Sequence, residues 1–164
     1  MNVRNLLLGS REGIAGGVYG TVIVMATIAA GSKGGLSAWT LLATMAATVV
    51  VLWIAHVYAA ALEHSIEHGR RVRWREIIAV AAEERSILLS GVIPGFMLAL
   101  GGIEVWKTST AAWLALGAGL VVLFVQGVRY ARVERLGFGG TVVAVGVNLG
   151  LGLVIVALKA AVTH

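Results

Sequence analysis

The chain has 164 residues, of which 59% are hydrophobic and 13% are charged, and its mean hydropathy is +0.91. Soluble domains carry about 25% charged residues, so this composition excludes an ordinary soluble domain and indicates an integral membrane protein. The chain has no cysteine, which excludes disulfides and thiolate metal sites, and its net charge of +5 is interpreted as a topology signal rather than as nucleic-acid binding.

Five apolar blocks are each long enough to cross a bilayer, which takes about 20 residues in a helix. The sequence therefore predicts an all-α integral membrane protein with five transmembrane helices and a short cytoplasmic amphipathic helix between helices 2 and 3. We expect residues 1–164 to form one membrane domain. The predicted helices cover 14–31, 39–62, 86–103, 111–128 and 138–158, and the cytoplasmic segment covers 63–85.

Lysine and arginine predict the orientation, because cytoplasmic loops are enriched in both. With the N-terminus inside, ten of these residues lie on the cytoplasmic side, and Lys33, Lys107 and Lys159 lie outside. We expect a multi-pass protein, in a prokaryotic cell membrane, with a cytoplasmic N-terminus and an outside C-terminus.

Helix 1 begins with a carboxylate and a series of glycines. Glu12 lies in the first turn, where the helix dipole stabilises a negative charge, and it is also a candidate for a transport path. Gly13, Gly16, Gly17 and Gly20 form overlapping GxxxG spacings. Small residues allow helices to approach closely in lipid, so helix 1 is predicted at the centre of the bundle or at an oligomer interface.

Helix 2 carries His56 within its apolar block, and an ionisable residue at that depth is a functional candidate. The alternative is a neutral imidazole that hydrogen-bonds a neighbouring helix. Helical periodicity places Glu63 and Glu67 on the stripe of His56, with His64 and His68 about 80–120° away. These side chains predict a site for a metal ion or a proton at the inner end of helix 2.

Residues 64–68 also match H-x-x-E-H, a pattern found in one class of zinc peptidases. Cations in the last turn of a helix equally complement its dipole. We see no other combination of a nucleophile and a base in the sequence. We therefore expect no enzyme activity and no permanently bound cofactor, with a divalent cation as the substrate.

The segment after helix 2 is basic and then amphipathic. Arg70–Arg75 is interpreted as a topology signal that contacts anionic headgroups. Glu83 and Glu84 follow in the amphipathic pattern, where they either face solvent or add carboxylates to a cation site. Further along, Pro94 predicts a kink in helix 3.

Helices 4 and 5 carry Gln126 and Asn148. An amide at such a position more often makes an interhelical hydrogen bond than a ligand contact. We therefore expect both to join neighbouring helices.

Several segments together resemble the vacuolar iron transporter family. They are Leu8-Gly9-Ser10-Arg11-Glu12-Gly13-Ile14, Tyr58 in helix 2, Gly91–Phe96 with its proline, and Leu123-Phe124-Val125-Gln126-Gly127. The resemblance implies a homodimer in which the first helices of two subunits line a metal path. It also implies export of Fe²⁺ or Mn²⁺ from the cytosol in exchange for protons, with cytoplasmic glutamates that collect the metal.

The sequence departs from the family pattern at several positions. Glu12 stands where the family has Asp, Trp53 where it has Met, and Val57 where it has a membrane Glu. On this resemblance His56, next to Val57, can take the place of the missing carboxylate.

The sequence thus predicts membrane transport of a divalent cation of the iron or manganese class, coupled to protons. Glu12 and His56 are the candidates for the path. The candidate metal ligands at its cytoplasmic mouth are Glu63, His64, Glu67, His68, Glu83 and Glu84. Two alternatives stay open, a non-transporting membrane scaffold or partner subunit and a small oligomeric ion channel.

Overall fold

A computed structural model describes residues 11–68 and 73–163, and the side chains of residues 13–66 and 73–161. The described part is helical and contains no strand. This confirms the all-α prediction for the described residues. The seven helices of the described ranges are α1 Arg11–Lys33, α2 Ala38–His68, α3 Trp74–Glu83, α4 Arg85–Ser90, α5 Val92–Gly102, α6 Thr108–Val133 and α7 Phe138–Thr163.

Helix α1 lies at the centre of the bundle, where it packs against α2, α4, α6 and α7. Glycines on α1 make these contacts close. A Cβ added at Gly20 would lie 2.5 Å from Ser90 Oγ and 3.2 Å from the backbone of Ile87, and one added at Gly17 would overlap the Gln126 amide. The glycine spacing read from the sequence therefore lies at helix contacts within the subunit.

The core lies where α1, α2 and α6 meet the shorter helices. Its largest fully buried side chains include Met25, Ile28, Leu41, Leu98 and Leu116. Large aliphatic groups stabilise the bundle here by packing, since lipid tails are as apolar as the side chains themselves.

The third predicted span, 86–103, is broken into two helices, α4 and α5. The helices over Trp74–Ser90 and Val92–Gly102 meet at Gly91 with a bend of 44°. Pro94 has no N–H to donate to the Ser90 carbonyl, and its ring crowds the preceding turn. The expected kink is thus present as a break, three residues before the proline.

Within the described part of the chain, four helices are long and apolar enough to cross a membrane, and the bent segment can supply a fifth span. The four are Gly13–Lys33, Ala38–Ile66, Thr108–Val133 and Phe138–Ala161. The span in α7 is only 6% buried inside the subunit, so most of its apolar surface faces outward, which fits a multi-pass membrane protein. The placement of α3 at a membrane surface stays a prediction.

The bundle has two chemically different ends, which we call the arginine end and the lysine end. Arginines lie at the start of α3 and α4 and at the end of α6, where the described ones are Arg73, Arg75, Arg85, Arg129, Arg132 and Arg135. Lys33, Lys107 and Lys159 lie at the opposite end. Trp39 and Trp113 are also there, in contact with Gly102 and Lys159 respectively.

Candidate functional site

One face of α1 stays uncovered between α2 and α7. We call it the α1 strip, and its exposed residues are Ala15, Tyr19, Ala26, Ala30 and Lys33. They recur at helical spacing, so their side chains form one continuous surface along the length of the helix. The strip is therefore a narrow, mostly small-residue surface with a phenol in its arginine-end half.

His56 lies beside this strip. Its ring centroid is 5.3 Å from that of Tyr19, with the two rings tilted at 40°. His56 Nδ1 lies 3.2 Å from the Leu52 carbonyl, which can only accept, so Nδ1 donates and Nε2 carries the lone pair in the neutral imidazole. The imidazole is half-buried within the apolar span of α2.

Position 12 falls on the same strip. Glu12 is seven residues before Tyr19, which corresponds to almost two full turns of a helix at about 100° per residue. Its backbone is part of α1, and its side chain lies outside the described residues. The two predicted path positions therefore lie on, or next to, one face of α1, with Tyr19 between them.

At the arginine end, the carboxylates predicted as metal ligands point in different directions. Glu63 and Glu83 are exposed, whereas Glu84 is turned towards α1, with Oε2 3.3 Å from a Cβ added at Gly16. The side chains of Glu67 and His68 lie outside the described residues. Among the side chains that the structure describes, no three histidine or acidic groups converge on one point.

Two elements of the arginine end are joined by a histidine and a glutamate. His64 Nε2 of α2 lies 4.0 Å from Glu76 Oε2 of α3. The same Glu76 oxygen accepts a hydrogen bond of 2.9 Å from the Arg73 N–H, which caps α3. The structure thus brings Glu76 to the first histidine of the H-x-x-E-H pattern.

Polar side chains of α4 and α6 face the glycines of α1 near the arginine end. Thr21 Oγ1 donates to the Gly17 carbonyl at 2.7 Å, and Ser90 Oγ donates to the Ile87 carbonyl at 2.6 Å. Gln126 Oε1 accepts from Arg129 at 3.3 Å, while its amide nitrogen lies against Gly17. The hydrogen bond shown for Gln126 is therefore within α6, and the residue contacts α1 by packing against Gly17 rather than by the interhelical hydrogen bond that we expected.

At two positions, Val57 and Trp53, the sequence departs from the pattern that it resembles, and the structure shows the surroundings of both side chains. Val57, where the resemblance implies a membrane glutamate, is buried, with 9% of its surface exposed. Trp53 Nε1 donates to the Ala81 carbonyl at 3.2 Å and so ties α2 to α3.

Comparison with family models, with curated proteins and with solved structures gave no match.

Tyr19 and Ser86 are the polar groups of these sites that sequence reasoning missed. Tyr19 could have been found from its spacing to Glu12, because a seven-residue interval repeats the face of a helix. No sequence pattern marks Ser86, because its environment depends on the packing of α4 on α1. Helix α4 approaches Gly16 and buries the Ser86 hydroxyl, and a Cβ added at Gly16 would lie 2.8 Å from Ser86 Oγ.

Proposed function

We propose that this protein transports a divalent metal cation of the iron or manganese class across a membrane in exchange for protons. Glu12 and His56 are its path residues. The observation that supports this most is the His56–Tyr19 pair, which places an imidazole and a phenol at an uncovered face within apolar spans. Ionisable groups at such depth typically border ion or proton pathways.

The α1 strip supplies one wall of a path, and we propose that a second copy of the chain supplies the other. The small residues Ala15, Ala26 and Ala30 allow two copies of α1 to approach closely. Next to the strip, a groove of about 760 Å³ between α1 and α7 is lined by apolar side chains such as Ile14, Val18 and Val143. A homodimer along α1 would enclose both surfaces.

The chemistry of these groups suits a proton-coupled cation. Carboxylate oxygen and imidazole nitrogen are ligands for Fe²⁺ and Mn²⁺, and both must be deprotonated before they bind. The His56 tautomer fixed by Leu52 directs the free lone pair of Nε2 away from the backbone. Binding of the cation would therefore release protons, and transport should slow as the pH falls.

Calorimetric titration of the purified protein with Mn²⁺, Fe²⁺, Co²⁺ and Zn²⁺ tests this proposal. The variants are Glu12→Gln, His56→Ala and a combined Glu63→Gln, His64→Ala, Glu67→Gln and His68→Ala protein. Glu104→Gln, an exposed carboxylate at the lysine end, serves as the matched control. We expect wild type and Glu104→Gln to bind at micromolar concentration, and the combined variant and His56→Ala to bind about tenfold or more weakly.

Comparison of the combined variant with Glu12→Gln and His56→Ala separates metal binding at the arginine end from metal binding beside the α1 strip. Loss of binding in the combined variant alone would place the ligands at the arginine end and not on the α1 strip. If the wild type binds none of the four metals, the transport proposal fails and a scaffold or partner subunit becomes the better interpretation.

A further inference from the structure

Two donors compete for one carbonyl at the break between α4 and α5. In a continuous helix the Gly91 N–H would donate to the Ile87 carbonyl, four residues earlier. Here the Ser90 hydroxyl donates to that carbonyl at 2.6 Å, and the Gly91 N–H donates to the Leu88 carbonyl at 3.3 Å instead. The 44° bend is therefore accompanied by a side-chain hydrogen bond in the place of a backbone hydrogen bond of the helix.

Gly91 is required neither by lack of space nor by its backbone conformation. Its φ of −85° and ψ of −12° are helical. A Cβ added there would lie 3.5 Å from Val49 Cγ2 and 3.7 Å from the Leu88 carbonyl oxygen, which are ordinary contacts. Gly20 of α1 differs, because a Cβ added to it would lie 2.5 Å from Ser90 Oγ. What Gly91 contributes is backbone freedom at the bend, since glycine weakens the preference for a continuous helix.

The two sides of the break are held differently. Beyond it, α5 packs on α2 and α6 and buries Pro94. Before it lies the segment Trp74–Ser90, which we call the arm. Its outer part, α3, is described in full and has no buried residue, and its inner part rests Ile87 and Ser90 on Gly20 of α1. A glycine surface has no side chains that interlock with the arm, so the arm can shift on α1 while α5 stays in place.

We infer that the break is a hinge with two positions, which carries Glu84 on and off α1. In the observed position, Glu84 Oε2 lies 3.3 Å from a Cβ added at Gly16. In the second position, the Gly91 N–H returns to the Ile87 carbonyl, and the bend relaxes towards the smaller kink that Pro94 still imposes. Glu84 is seven residues from Gly91, so relaxing the bend by about 20° would move it by roughly 4 Å.

The role of this hinge rests on the proposed transport function. Glu84 is one of the carboxylates proposed at the mouth of the path, and Gly16 is one helical turn after the path position Glu12. A hinge that moves Glu84 against α1 and away from it therefore controls the step from the mouth to the path. Hinges of a few residues at the ends of helices gate sites in this way.

Distances between spin labels test the hinge independently of transport. The chain has no cysteine, so labels are attached at the exposed positions Ala79→Cys on the arm and Arg132→Cys on α6. We expect a major distance and a minor one that differs by up to about 6 Å. Gly91→Ala should raise the minor population about fivefold, because alanine favours the continuous helix. Ser90→Ala removes the competing donor and should shift the populations in the same direction.

Gly117→Ala is the matched control, since Gly117 lies within α6 and faces open space. It should leave both distances and their populations unchanged. The hinge is overturned if Gly91→Ala and Ser90→Ala give the same distances and populations as Gly117→Ala.

Flux of Mn²⁺ through the same variants tests the role of the hinge. Gly91→Ala should change the rate by at least about twofold, because the two positions are no longer populated as in the wild type. Altered distances with an unaltered rate would overturn the control of the path by Glu84. A wild type that moves no Mn²⁺ would overturn the transport proposal and this role together, while the label distances would still decide whether the hinge exists.

Discussion

His56 and Val57 are neighbours in sequence but lie on different faces of α2. Val57 is buried in the subunit, while His56 lies beside Tyr19 on the uncovered side of α1. Consecutive residues of a helix are about 100° apart, so a histidine at 56 cannot occupy the place of a carboxylate at 57. On the proposed path, His56 therefore acts from beside the α1 strip and not from the buried face of α2.

Close contacts at single glycines lead to a direct stability prediction. A Cβ at Gly127 would lie 2.9 Å from Val145 Cα and 3.0 Å from the Asn148 amide nitrogen. The obstacle is largely backbone, so α6 and α7 would have to separate. We expect Gly127→Ala to lower the free energy of unfolding by about 1–3 kcal/mol, measured by denaturant titration in detergent micelles.

Gly117 lies on the same helix and faces open space, so Gly117→Ala is the control. Alanine is the better helix former, and this variant should be neutral or up to about 1 kcal/mol more stable. An equal loss of stability in both variants would contradict the proposed packing of α6 on α7.

At the level of single residues, the sequence predicts what depends on local spacing. It singled out His56 because a titratable group interrupts an apolar block, and Gln126 because an amide does. It could not place Glu84 against Gly16 or bring Glu76 to His64. Those contacts depend on how α3 and α4 fold back, which is set by packing between elements distant in sequence.

Among the elements, the broken third span likewise combines a feature that the sequence predicts with one that it does not. A proline predicts a kink, and the sequence placed one in helix 3. The amphipathic pattern between helices 2 and 3 predicts a helix before the apolar block, where the structure has α3 from Trp74, but no pattern in the sequence predicts the bend at Gly91. Two features accompany the bend: Pro94 cannot donate a backbone hydrogen bond to the preceding turn, and α5 packs on α2 and α6.

Helix α3 carries a prediction of its own. Trp74 and Ile78 are exposed on one side, and Glu83 lies about 140° around the helix from Ile78. If α3 rests on a bilayer surface, its apolar side should enter the lipid. The chain has no cysteine, so spin labels attached at Ile78→Cys and Glu83→Cys report single sites.

In reconstituted vesicles, the label at 78 should collide more with lipid-soluble oxygen than with a water-soluble nickel chelate. The label at 83 should show the reverse order, and it serves as the internal control. Equal access of the nickel chelate to both labels would mean that α3 stands clear of the membrane.

For the molecule as a whole, length and hydropathy were enough to predict an all-helical membrane protein. Each span is a local property of about 20 residues. Convergence of side chains is not local, and the described carboxylates of the arginine end do not form the single cluster that their spacing suggested. The α1 strip is not predictable from local spacing, because it depends on how α2 and α7 pack on α1 and leave one face uncovered.

The proposed dimer predicts a specific cross-link. Ala26 is exposed at the middle of the α1 strip, and Ala47 is exposed on α2 at a similar distance from the lysine end. With a two-fold axis along α1, Ala26→Cys should form a disulfide-linked dimer under mild oxidation in membranes. Ala47→Cys should stay monomeric on a non-reducing gel. The opposite result would place the interface on α2, and no cross-link in either variant would argue against the dimer along α1.

Flux of Mn²⁺ into dye-loaded proteoliposomes under a pH gradient is the most direct test of divalent cation transport. Wild type and Glu104→Gln should move Mn²⁺ faster than protein-free liposomes. His56→Ala and Glu12→Gln should each reduce the rate by about tenfold or more, as expected when a metal-site group is lost. A wild-type rate equal to that of protein-free liposomes, or variants as fast as wild type, would contradict the proposed function.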